Sequence, residues 1–244
     1  MLMTNPFLSV VIPAYNEAER IGSTLEKVTE FLGSKQYSSE LIIVDDGSID
    51  STPGLLQDFC SRNPAARVFR NDPNRGKGFS VRRGVLEATG EYVLFTDADL
   101  SAPIEEADRL LESLDPSGAD AAVGSRAIDR TLIGVRQPMY REFGGKVFNL
   151  FVRVATGLPI RDTQCGMKLF RRKSTRRAFE SQRVDGFGFD PELLFLIKRF
   201  GGKIVEVPVR WNDNPATKVR FLRDSARMFV GLIALRWRTA TGKY

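Results

Sequence analysis

Short apolar runs rich in β-branched residues recur along this chain of 244 residues, and stretches of helical character separate them. The runs predict five strands, at residues 9–12, 41–44, 67–69, 92–95 and 121–123. Strands that alternate with helices are typical of a parallel sheet with helices on both faces. The pattern therefore predicts an α/β fold, a mainly parallel twisted sheet flanked by helices.

A helix is predicted after the fourth of these strands. Pro103 suits the first turn of a helix, and the pair Asp115–Pro116 is expected to end it. Between them, apolar residues at helical spacing form one stripe, which comprises Ile104, Ala107, Leu110, Leu111 and Leu114. This helix is expected to pack on the sheet through that stripe.

Chemically distinctive residues follow three of the predicted strands, in the segments 13–17 (PAYNE), 45–48 (DDGS) and 97–99 (DAD). In open α/β sheets, ligands bind beyond the carboxyl ends of the strands. Each segment alone is also typical of a capped turn, since Asp, Asn, Gly and Ser are turn residues. Three such segments at one sheet edge indicate a binding site.

Asp97 and Asp99 are the candidates for a metal site. They stand two residues apart at a strand end, so both carboxylates can face one side while Ala98 points away. Hard divalent cations such as Mg²⁺ and Mn²⁺ prefer oxygen ligands. A cation that bridges two phosphates would offset the charge that develops when a sugar–phosphate bond breaks. The pair therefore predicts a divalent-cation site, with a geometry that suits one metal and one ribose.

The segment at residues 74–78 (NRGKG) precedes another predicted helix. Glycine lets the backbone approach a ligand closely, and Arg75 or Lys77 can meet a phosphate or a base. The segment matches neither the P-loop sequence GxxxxGK[ST] nor the dinucleotide sequence GxGxxG. It therefore disfavours a P-loop protein and a Rossmann dehydrogenase.

The chain contains no histidine, so a general base would have to be an aspartate, a glutamate or a less usual group. A phosphate acceptor removes this need, because a phosphomonoester loses its second proton at about pH 6. Arg126 and Arg141 are candidates to hold such a phosphate. Either arginine alone is equally typical of a charged surface.

The net charge of +6 is concentrated near the C-terminus, where seven basic residues accompany a single acid, Asp224. The basic residues are Lys218, Arg220, Arg223, Arg227, Arg236, Arg238 and Lys243. Apolar residues at helical spacing lie among them: Phe221, Leu222, Met228, Phe229, Leu232, Ile233 and Trp237. A basic amphipathic segment of this kind suits an anionic membrane surface. We predict a catalytic domain at 1–217 and an interfacial segment at 218–244.

A second apolar stripe precedes the sequence DTQCG and is made of Phe143, Val147, Phe148, Leu150, Phe151 and Val154. Together the two stripes predict a peripheral protein on the cytoplasmic face of a membrane, although both stripes are also compatible with packing on the sheet. No apolar run approaches the roughly 20 residues that span a bilayer. Cys60 and Cys165 form no CxxC pair, which fits a reducing cytosol. Nucleic acid is disfavoured as a partner, because the basic excess is confined to the tail.

Eight segments of the chain resemble the inverting glycosyltransferases of family 2, and within them the dolichyl-phosphate β-glucosyltransferases. The segments are SVVIPAYNEAERI, LIIVDDGSIDST, NRGKGFSVRRGVL, GEYVLFTDADLSAPIEE, VGSR, RDTQCGMKLF, FGFDPELLFL and VEVPVRW, between Ser9 and Trp211. The resemblance implies a GT-A fold, a nucleoside-diphosphate sugar donor, Mg²⁺ or Mn²⁺, and inversion at the anomeric carbon. UDP-glucose is the favoured donor and a polyprenyl or dolichyl phosphate the favoured acceptor.

Alternatives remain at this stage. A polyprenyl-phosphate mannosyltransferase that uses GDP-mannose is one, although Ser101 stands where mannosyl relatives usually carry glutamine. A soluble family 2 enzyme with a hydroxyl acceptor is another. A sugar-1-phosphate nucleotidyltransferase is disfavoured, because PAYNE replaces the glycine-rich signature usual after the first strand. A non-catalytic nucleotide-binding module is disfavoured by the DAD sequence and the two arginines.

The resemblance also implies roles for individual residues. Those expected around the nucleotide are Pro13, Tyr15, Glu17, Asp46, Arg75 and Asp97, with Lys77 added from the glycine-containing segment. Asp99 is expected to be the main metal ligand, with Asp97 on the metal or the ribose. Arg126 and Arg141 are expected on the acceptor phosphate. The sugar and acceptor side is expected to include Asp162, Gln164 and Lys168 of a DTQCGMK loop, together with Asp190. Asp190 is also the expected base if the acceptor is a hydroxyl.

Overall fold

The structure, a computed structural model, describes residues 5–214 and 221–244, with side chains of the second segment described from residue 227 onward. Its strands are β1 (Leu8–Ala14), β2 (Ser39–Asp45), β3 (Ala66–Arg70), β4 (Tyr92–Thr96), β5 (Ala121–Ser125), β6 (Met167–Arg171) and β7 (Ile204–Pro208). Its helices are α1 (Ile21–Gly33), α2 (Thr52–Arg62), α3 (Lys77–Glu87), α4 (Glu106–Ser117), α5 (Met139–Thr156), α6 (Arg172–Ser181), α7 (Phe189–Arg199) and α8 (Phe221–Ala240). A 3₁₀ turn covers Arg130–Leu132.

The strands form one sheet in the order β3-β2-β1-β4-β6-β5-β7. β1, β2, β3 and β4 pair in parallel, as do β5 and β7, whereas β6 runs antiparallel to both of its neighbours. The predicted α/β class and the five predicted strands are confirmed, and each strand is longer than predicted, β4 by one residue. β6 and β7 were not among the predicted strands.

The sheet is covered on both faces, which explains why β1 and β4 at its centre are almost entirely buried and largely apolar. Successive residues of a strand point to opposite faces, and β1 follows this rule. Val10 and Ile12 belong to a core layer that includes α1 and α4, while Val11 belongs to a layer with α3 and α7. Both layers bury their side chains almost completely.

The helix predicted at Pro103 begins later, at Glu106, and ends at Ser117. Residues 103–105 form a turn instead, in which the amide of Glu106 donates to the carbonyl of Pro103. Pro116 lies inside the last turn, and the helix ends through Gly118, whose φ of 58° is left-handed. Glycine adopts that conformation without steric cost. The predicted stripe is buried, with Leu111 at its edge.

α5 and α8 pack against one another through some of their apolar residues. Phe148 and Val152 of α5 meet Met228 and Leu232 of α8, and Phe229 stands edge-on to the Phe148 ring at 5.4 Å between centroids. Several other apolar side chains of the two helices are exposed, including Phe143, Leu150, Val154, Val230, Ile233 and Trp237. The two stripes therefore pack on each other rather than flat on the sheet.

Part of the predicted interfacial segment lies outside the described residues. Lys218 and Arg220 are among these, as are the side chains of Phe221, Leu222 and Arg223. The boundary predicted between residues 217 and 218 stays a prediction for the same reason. Over the described part of the chain, no helix is both long enough and apolar enough to cross a bilayer.

Candidate active site

A cavity of about 240 Å³ opens at the sheet edge where β4 and β5 end. We call it the central cavity. Seven of the predicted site residues line it: Lys77, Asp97, Asp99, Arg126, Arg141, Gln164 and Asp190. These residues are far apart in the sequence, and they come from the ends of β4 and β5, from the first turns of α3, α5 and α7, and from the loop before β6. The fold therefore collects them at one place.

Asp97 forms an ion pair with Lys77 in this cavity, with 2.7 Å between Oδ1 and Nζ. Burial raises the pKa of Asp97, although the Lys77 ammonium opposes the rise. Asp99 and Asp190 contribute negative charge that raises the pKa of Asp97 further. The pKa of Lys77 is also raised, since the surrounding carboxylates outweigh the effect of burial. Asp97 is therefore surrounded by the Lys77 ammonium and by two further carboxylates, those of Asp99 and Asp190.

These residues fit a divalent cation that is held jointly by protein and substrate. Asp97 and Asp99 line the same cavity, and crowded carboxylates favour a cation. Within residues 5–214 and 227–244, however, no cluster of three or more acidic, histidine or cysteine side chains has the arrangement of a complete metal site. Mg²⁺ usually takes one or two carboxylates and completes its shell with substrate phosphates and water. The donor set suits that mode of binding.

The turn that carries the two carboxylates is held from two directions. Thr24, in the first turn of α1, donates its hydroxyl to the carbonyl of Ala98 at 2.6 Å. On the other side, the amide of Asp97 donates to the carbonyl of Gly166 at 3.1 Å. A Cβ at Gly166 would lie 2.1 Å from Oδ2 of Asp97, so only glycine fits there. Gly166 was not singled out from the sequence.

Arg20 was also missed. It pairs with Glu17 and lies near the carboxylates of Asp97 and Asp99. Its guanidinium binds the carboxylate of Glu17 through Nε and Nη2, the latter at 2.9 Å. Burial alone would lower the pKa of Arg20, but Glu17 raises it above the ordinary value. Asp99 and Asp97 contribute to the same rise. A glutamate and an arginine three residues apart at a helix start carry the signal for this pair.

Asp46 shapes the glycine-containing loop. Its carboxylate is buried and accepts hydrogen bonds from the amides of Arg75 at 3.0 Å and Gly76 at 2.7 Å, and from the side chain of Asn71 at 2.8 Å. Gly76 has a φ of 106°, and a Cβ there would meet the carbonyl of Asp185 at 2.5 Å. Asp46 thus commits three of its acceptor positions to the protein. Its contact with a nucleotide stays a prediction.

The other residues predicted around the nucleotide lie at the same sheet edge but do not line the central cavity. Pro13 is the second-to-last residue of β1, and Tyr15 and Glu17 follow the end of this strand. Tyr15 is exposed, whereas Glu17 is buried in its pair with Arg20. Arg75 is half-exposed and stacks on the ring of Phe79 at 4.1 Å. Their role in nucleotide binding stays a prediction.

Arg126 and Asp162, both predicted on the acceptor side, bind one another. The guanidinium donates through Nε to Oδ2 at 2.6 Å and through Nη2 to Oδ1 at 2.8 Å. Burial alone would raise the pKa of Asp162, but Arg126 lowers it below its ordinary value. Trp211 lies 5.2 Å from the guanidinium of Arg126. Arg126 is thus fixed by a two-point contact and still lines the central cavity.

A second cavity, of about 270 Å³, adjoins the central cavity and shares Arg126, Arg141 and Gln164 with it. We call it the basic groove, because six cationic residues line it: Arg126, Arg130, Arg136, Arg141, Lys146 and Arg161. Its acidic residues are Glu142 and Asp162. Glu142 pairs with Arg130 and Lys146. Arg136 and Arg161 were not predicted, because isolated surface arginines carry no pattern.

Three cations of the basic groove face no acidic partner. Within residues 5–214 and 227–244, no carboxylate lies at ion-pairing distance from Arg136, Arg141 or Arg161. The nearest aromatic ring to the Arg141 guanidinium is that of Tyr140, at 5.9 Å. The groove therefore presents uncompensated positive charge, which suits an anionic ligand.

Lys168 departs from the sequence prediction. It lies on strand β6 rather than in a loop, and its side chain is fully buried, so it lines neither cavity. Its ammonium donates to Oδ1 of Asp190 at 2.5 Å and to the carbonyl of Cys165 at 2.6 Å. Lys168 reaches the central cavity only through Asp190. The alternation of β6 places residue 168 on an inner face, which the loop assignment missed.

Comparison with known proteins fits this arrangement. The family model described as glycosyl transferase family 2 matches residues 9–179. A dolichyl-phosphate beta-glucosyltransferase from Dictyostelium discoideum is 34% identical over 250 residues, which cover 98% of this chain and 76% of the relative. The enzyme of the same name from Saccharomyces cerevisiae is 34% identical over 255 residues, with 98% and 76% covered.

Among solved structures, glucosyl-3-phosphoglycerate synthase from Mycobacterium tuberculosis is similar. In complex with Mn²⁺, UDP-glucose and phosphoglyceric acid it superposes with a TM-score of 0.68 at 20% sequence identity, covering 95% of this chain and 80% of that chain. The fold and the family match define a glycosyltransferase with the GT-A fold. The chain belongs to glycosyl transferase family 2.

Proposed function

We propose that this enzyme transfers glucose from UDP-glucose to a polyprenyl or dolichyl phosphate, with inversion at the anomeric carbon. The relatives with about one third identity over nearly the whole chain carry the name dolichyl-phosphate beta-glucosyltransferase. The observation that carries the proposal is the junction of two cavities with different charged residues. The central cavity holds Asp97, Asp99 and Asp190, and the basic groove holds Arg136 and Arg161, which have no carboxylate partner within the described residues.

On the donor side, Asp99 would be the main ligand of Mg²⁺ or Mn²⁺, with Asp97 as the second carboxylate. When bound, the cation supplies Lewis-acid stabilisation of the negative charge on the diphosphate. The loop that Asp46 holds would present Arg75 to the nucleotide. Glu17, fixed by Arg20, would lie on the nucleoside side together with Pro13 and Tyr15.

On the acceptor side, the lipid phosphate would lie in the basic groove, held by Arg126 and Arg141. One of its oxygens would attack the anomeric carbon from the face opposite the nucleotide, while the bond from that carbon to the β-phosphate oxygen breaks. No proton needs to be removed, because the phosphate is already a dianion at neutral pH. The pairing of Asp190 with Lys168 supports this route, since the best candidate base is held by a buried ammonium.

We further propose that the exposed apolar residues of α5 and α8 rest on an anionic membrane at the cytoplasmic face. Phe143, Leu150 and Val154 are exposed on α5, the helix that also lines the basic groove, and Ile233 and Trp237 are exposed on neighbouring α8. Apolar side chains flanked by arginines suit the interface between head groups and acyl chains. A lipid-linked acceptor would then reach the groove without leaving the bilayer.

The donor and the acceptor are tested together with a panel of UDP- and GDP-sugars. Each donor is incubated with Mn²⁺ and either a short polyprenyl phosphate or the matching polyprenol, and the lipid-linked product is measured. We expect product from UDP-glucose and polyprenyl phosphate only. Product from GDP-mannose would identify the mannosyl alternative, and equal transfer to the polyprenol would overturn the phosphate acceptor.

The membrane surface is tested by co-sedimentation with vesicles that contain phosphatidylserine or only phosphatidylcholine. Binding to the anionic vesicles is expected to weaken as salt rises, because salt screens surface charge. The double variant I233E/W237E is expected to bind several-fold less than the control Arg176→Glu on distant α6. Equal binding to neutral vesicles at every salt concentration would contradict this surface.

A further inference from the structure

Glu192, on α7, is a buried carboxylate that joins three separate parts of the chain. Its Oε2 accepts hydrogen bonds from the amides of Arg183 at 2.9 Å and Val184 at 2.7 Å. Its Oε1 accepts from the hydroxyl of Tyr244 and from Nη1 of Arg238 at 3.4 Å. We call these three side chains, Glu192, Arg238 and Tyr244, the Glu192 cluster. It connects the end of α8 to the loop at residues 182–188, which precedes α7.

Loop 182–188 is pressed against the first turn of α3, where the glycine-containing segment ends. The side chain of Gln182 donates to the carbonyl of Gly78 at 2.9 Å, and the amide of Phe79 donates to the carbonyl of Asp185 at 3.0 Å. A Cβ at Gly78 would meet the carbonyl of Val184 at 2.6 Å. The loop and the turn are therefore in direct backbone contact.

The same loop also reaches the donor site. Phe187 lines the central cavity, with its ring 5.8 Å from Nζ of Lys77. The carboxylate of Asp185 lies 3.8 Å from the guanidinium of Arg75. A shift of loop 182–188 would therefore move neighbours of both cations. Glu192 helps to hold the loop in this position, because two of the loop's amides donate to its carboxylate.

A carboxylate buried to this degree needs partners for both of its oxygens, because an unpaired buried charge is costly. The amides of the loop satisfy one oxygen of Glu192, and Arg238 and Tyr244 satisfy the other. Burial, followed by the bond to Glu192, raises the pKa of Tyr244 to about 12, so its hydroxyl stays a donor at neutral pH. Removal of either Arg238 or Tyr244 leaves Glu192 undersatisfied while the loop amides still depend on it.

We propose that Tyr244 and Arg238 are positioning residues for the sugar-nucleotide donor. Through Glu192 they fix loop 182–188 against the Arg75–Gly78 segment, so that the donor end of the site depends on the docking of α8. The inference rests on the proposed function in one respect, that a nucleoside diphosphate binds at this end. It assigns α8 a role in donor binding that is separate from any contact with lipid.

The test compares Tyr244→Phe and Arg238→Met with the wild type in buffer without vesicles. Lys243→Met is the matched control, because it removes a neighbouring cation whose ammonium lies 4.2 Å from the Trp237 ring and, within the described residues, forms no bond to Glu192. UDP affinity in the presence of Mn²⁺ is measured by calorimetry, and amide exchange of residues 182–188 by mass spectrometry. The KM values for sugar nucleotide and for polyprenyl phosphate are measured separately.

Tyr244→Phe is expected to weaken UDP binding about five- to tenfold, as the loss of one hydrogen bond to a charged group allows. Exchange of residues 182–188 should quicken, KM for the sugar nucleotide should rise, and KM for the polyprenyl phosphate should hold. Wild-type UDP affinity and wild-type exchange in both variants would overturn the proposal. Equal rises in both KM values would also overturn it, since they indicate a general structural effect.

The outcome is separable from that of the proposed function. If the wild-type protein binds no UDP, the proposed donor is wrong, while the exchange of residues 182–188 in the variants still decides whether the Glu192 cluster holds the loop. If Tyr244→Phe does not fold, Arg238→Met carries the test, because Tyr244 then remains on Glu192.

Discussion

The proposed donor and acceptor ends of the candidate active site differ in how their charges are satisfied. At the donor end, Asp46 accepts three hydrogen bonds from the protein, Glu17 is bound by Arg20, and Asp97 by Lys77. At the acceptor end, Arg136, Arg141 and Arg161 have no carboxylate partner within the described residues. Contacts within the protein thus fix the carboxylates of the donor end, whereas the three arginines of the acceptor end remain available to an anionic ligand.

The largest effect is expected at Asp99, which, unlike Asp97 and Asp190, forms no ion pair within the described residues. Asp99→Ala should lower kcat/KM more than about a hundredfold, because it removes the main ligand of a Lewis-acidic cation. Excess EDTA should have the same effect on the wild type. Steady-state kinetics with Glu112→Ala, an exposed acidic control, provide the reference. A folded Asp99→Ala enzyme with near-normal turnover would remove the metal-dependent mechanism.

At the acceptor end, Arg141→Met is expected to cost about ten- to a hundredfold in kcat/KM for polyprenyl phosphate, the range for a charge-assisted hydrogen bond. Affinity for UDP should change little, since the loss lies at the other end of the site. Arg153→Met, on an exposed position of the same helix, is the control. An equal loss of UDP affinity and acceptor efficiency would show that the two ends are not separate.

The Arg126–Asp162 pair tests how firmly the boundary between the two ends is held. The lowered pKa of Asp162 means that its contribution to stability is complete above its ordinary value of 3.8 and is lost as the pH falls through the lower, folded-state value. Asp162→Asn should therefore lower the free energy of unfolding by about 2 kcal/mol at pH 7. The difference from wild type should shrink in acid. Urea titrations at several pH values measure it, and a constant difference would contradict the assignment.

The smallest effect is expected from Asp190→Asn. If the acceptor phosphate is its own nucleophile, the rate should rise as the pH passes about 6, where the phosphate ionises. The variant should keep that profile and lose only a few-fold in rate through altered positioning beside Lys168. A pH–rate profile that becomes flat in Asp190→Asn would instead identify Asp190 as a base.

The strands of the sheet were predictable where the whole strand is apolar, as in β1 and β4. β6 was not, because Lys168 and Arg171 interrupt the apolar pattern of a short strand, and only the pairing with β4 and β5 reveals that position 168 faces inward. The ends of α4 were misplaced for a related reason. Pro103 is compatible with both a turn and a first helical turn, and the left-handed Gly118 decides the end of the helix.

The candidate site divides in the same way. Asp97, Asp99 and Asp46 were predictable, because carboxylates at strand ends announce a ligand site. Gly166 and Arg161 were not, because their importance comes from neighbours distant in sequence, such as Asp97 in the case of Gly166. The sequence did not predict the ion pair between Arg126 and Asp162, because each residue was assigned to the acceptor side on its own.

The reversed direction of β6 has a topological consequence. Because β6 is antiparallel to its neighbours, its N-terminal end lies at the sheet edge where the C-terminal ends of the other strands lie. The chain therefore leaves the sheet after Ser125, traverses α5, and returns at Gly166 to the same edge. This segment begins and ends at the candidate active site, and the ion pair between Arg126 and Asp162 joins its two ends. Much of the acceptor region therefore belongs to one continuous segment, residues 126–166, that connects two adjacent antiparallel strands.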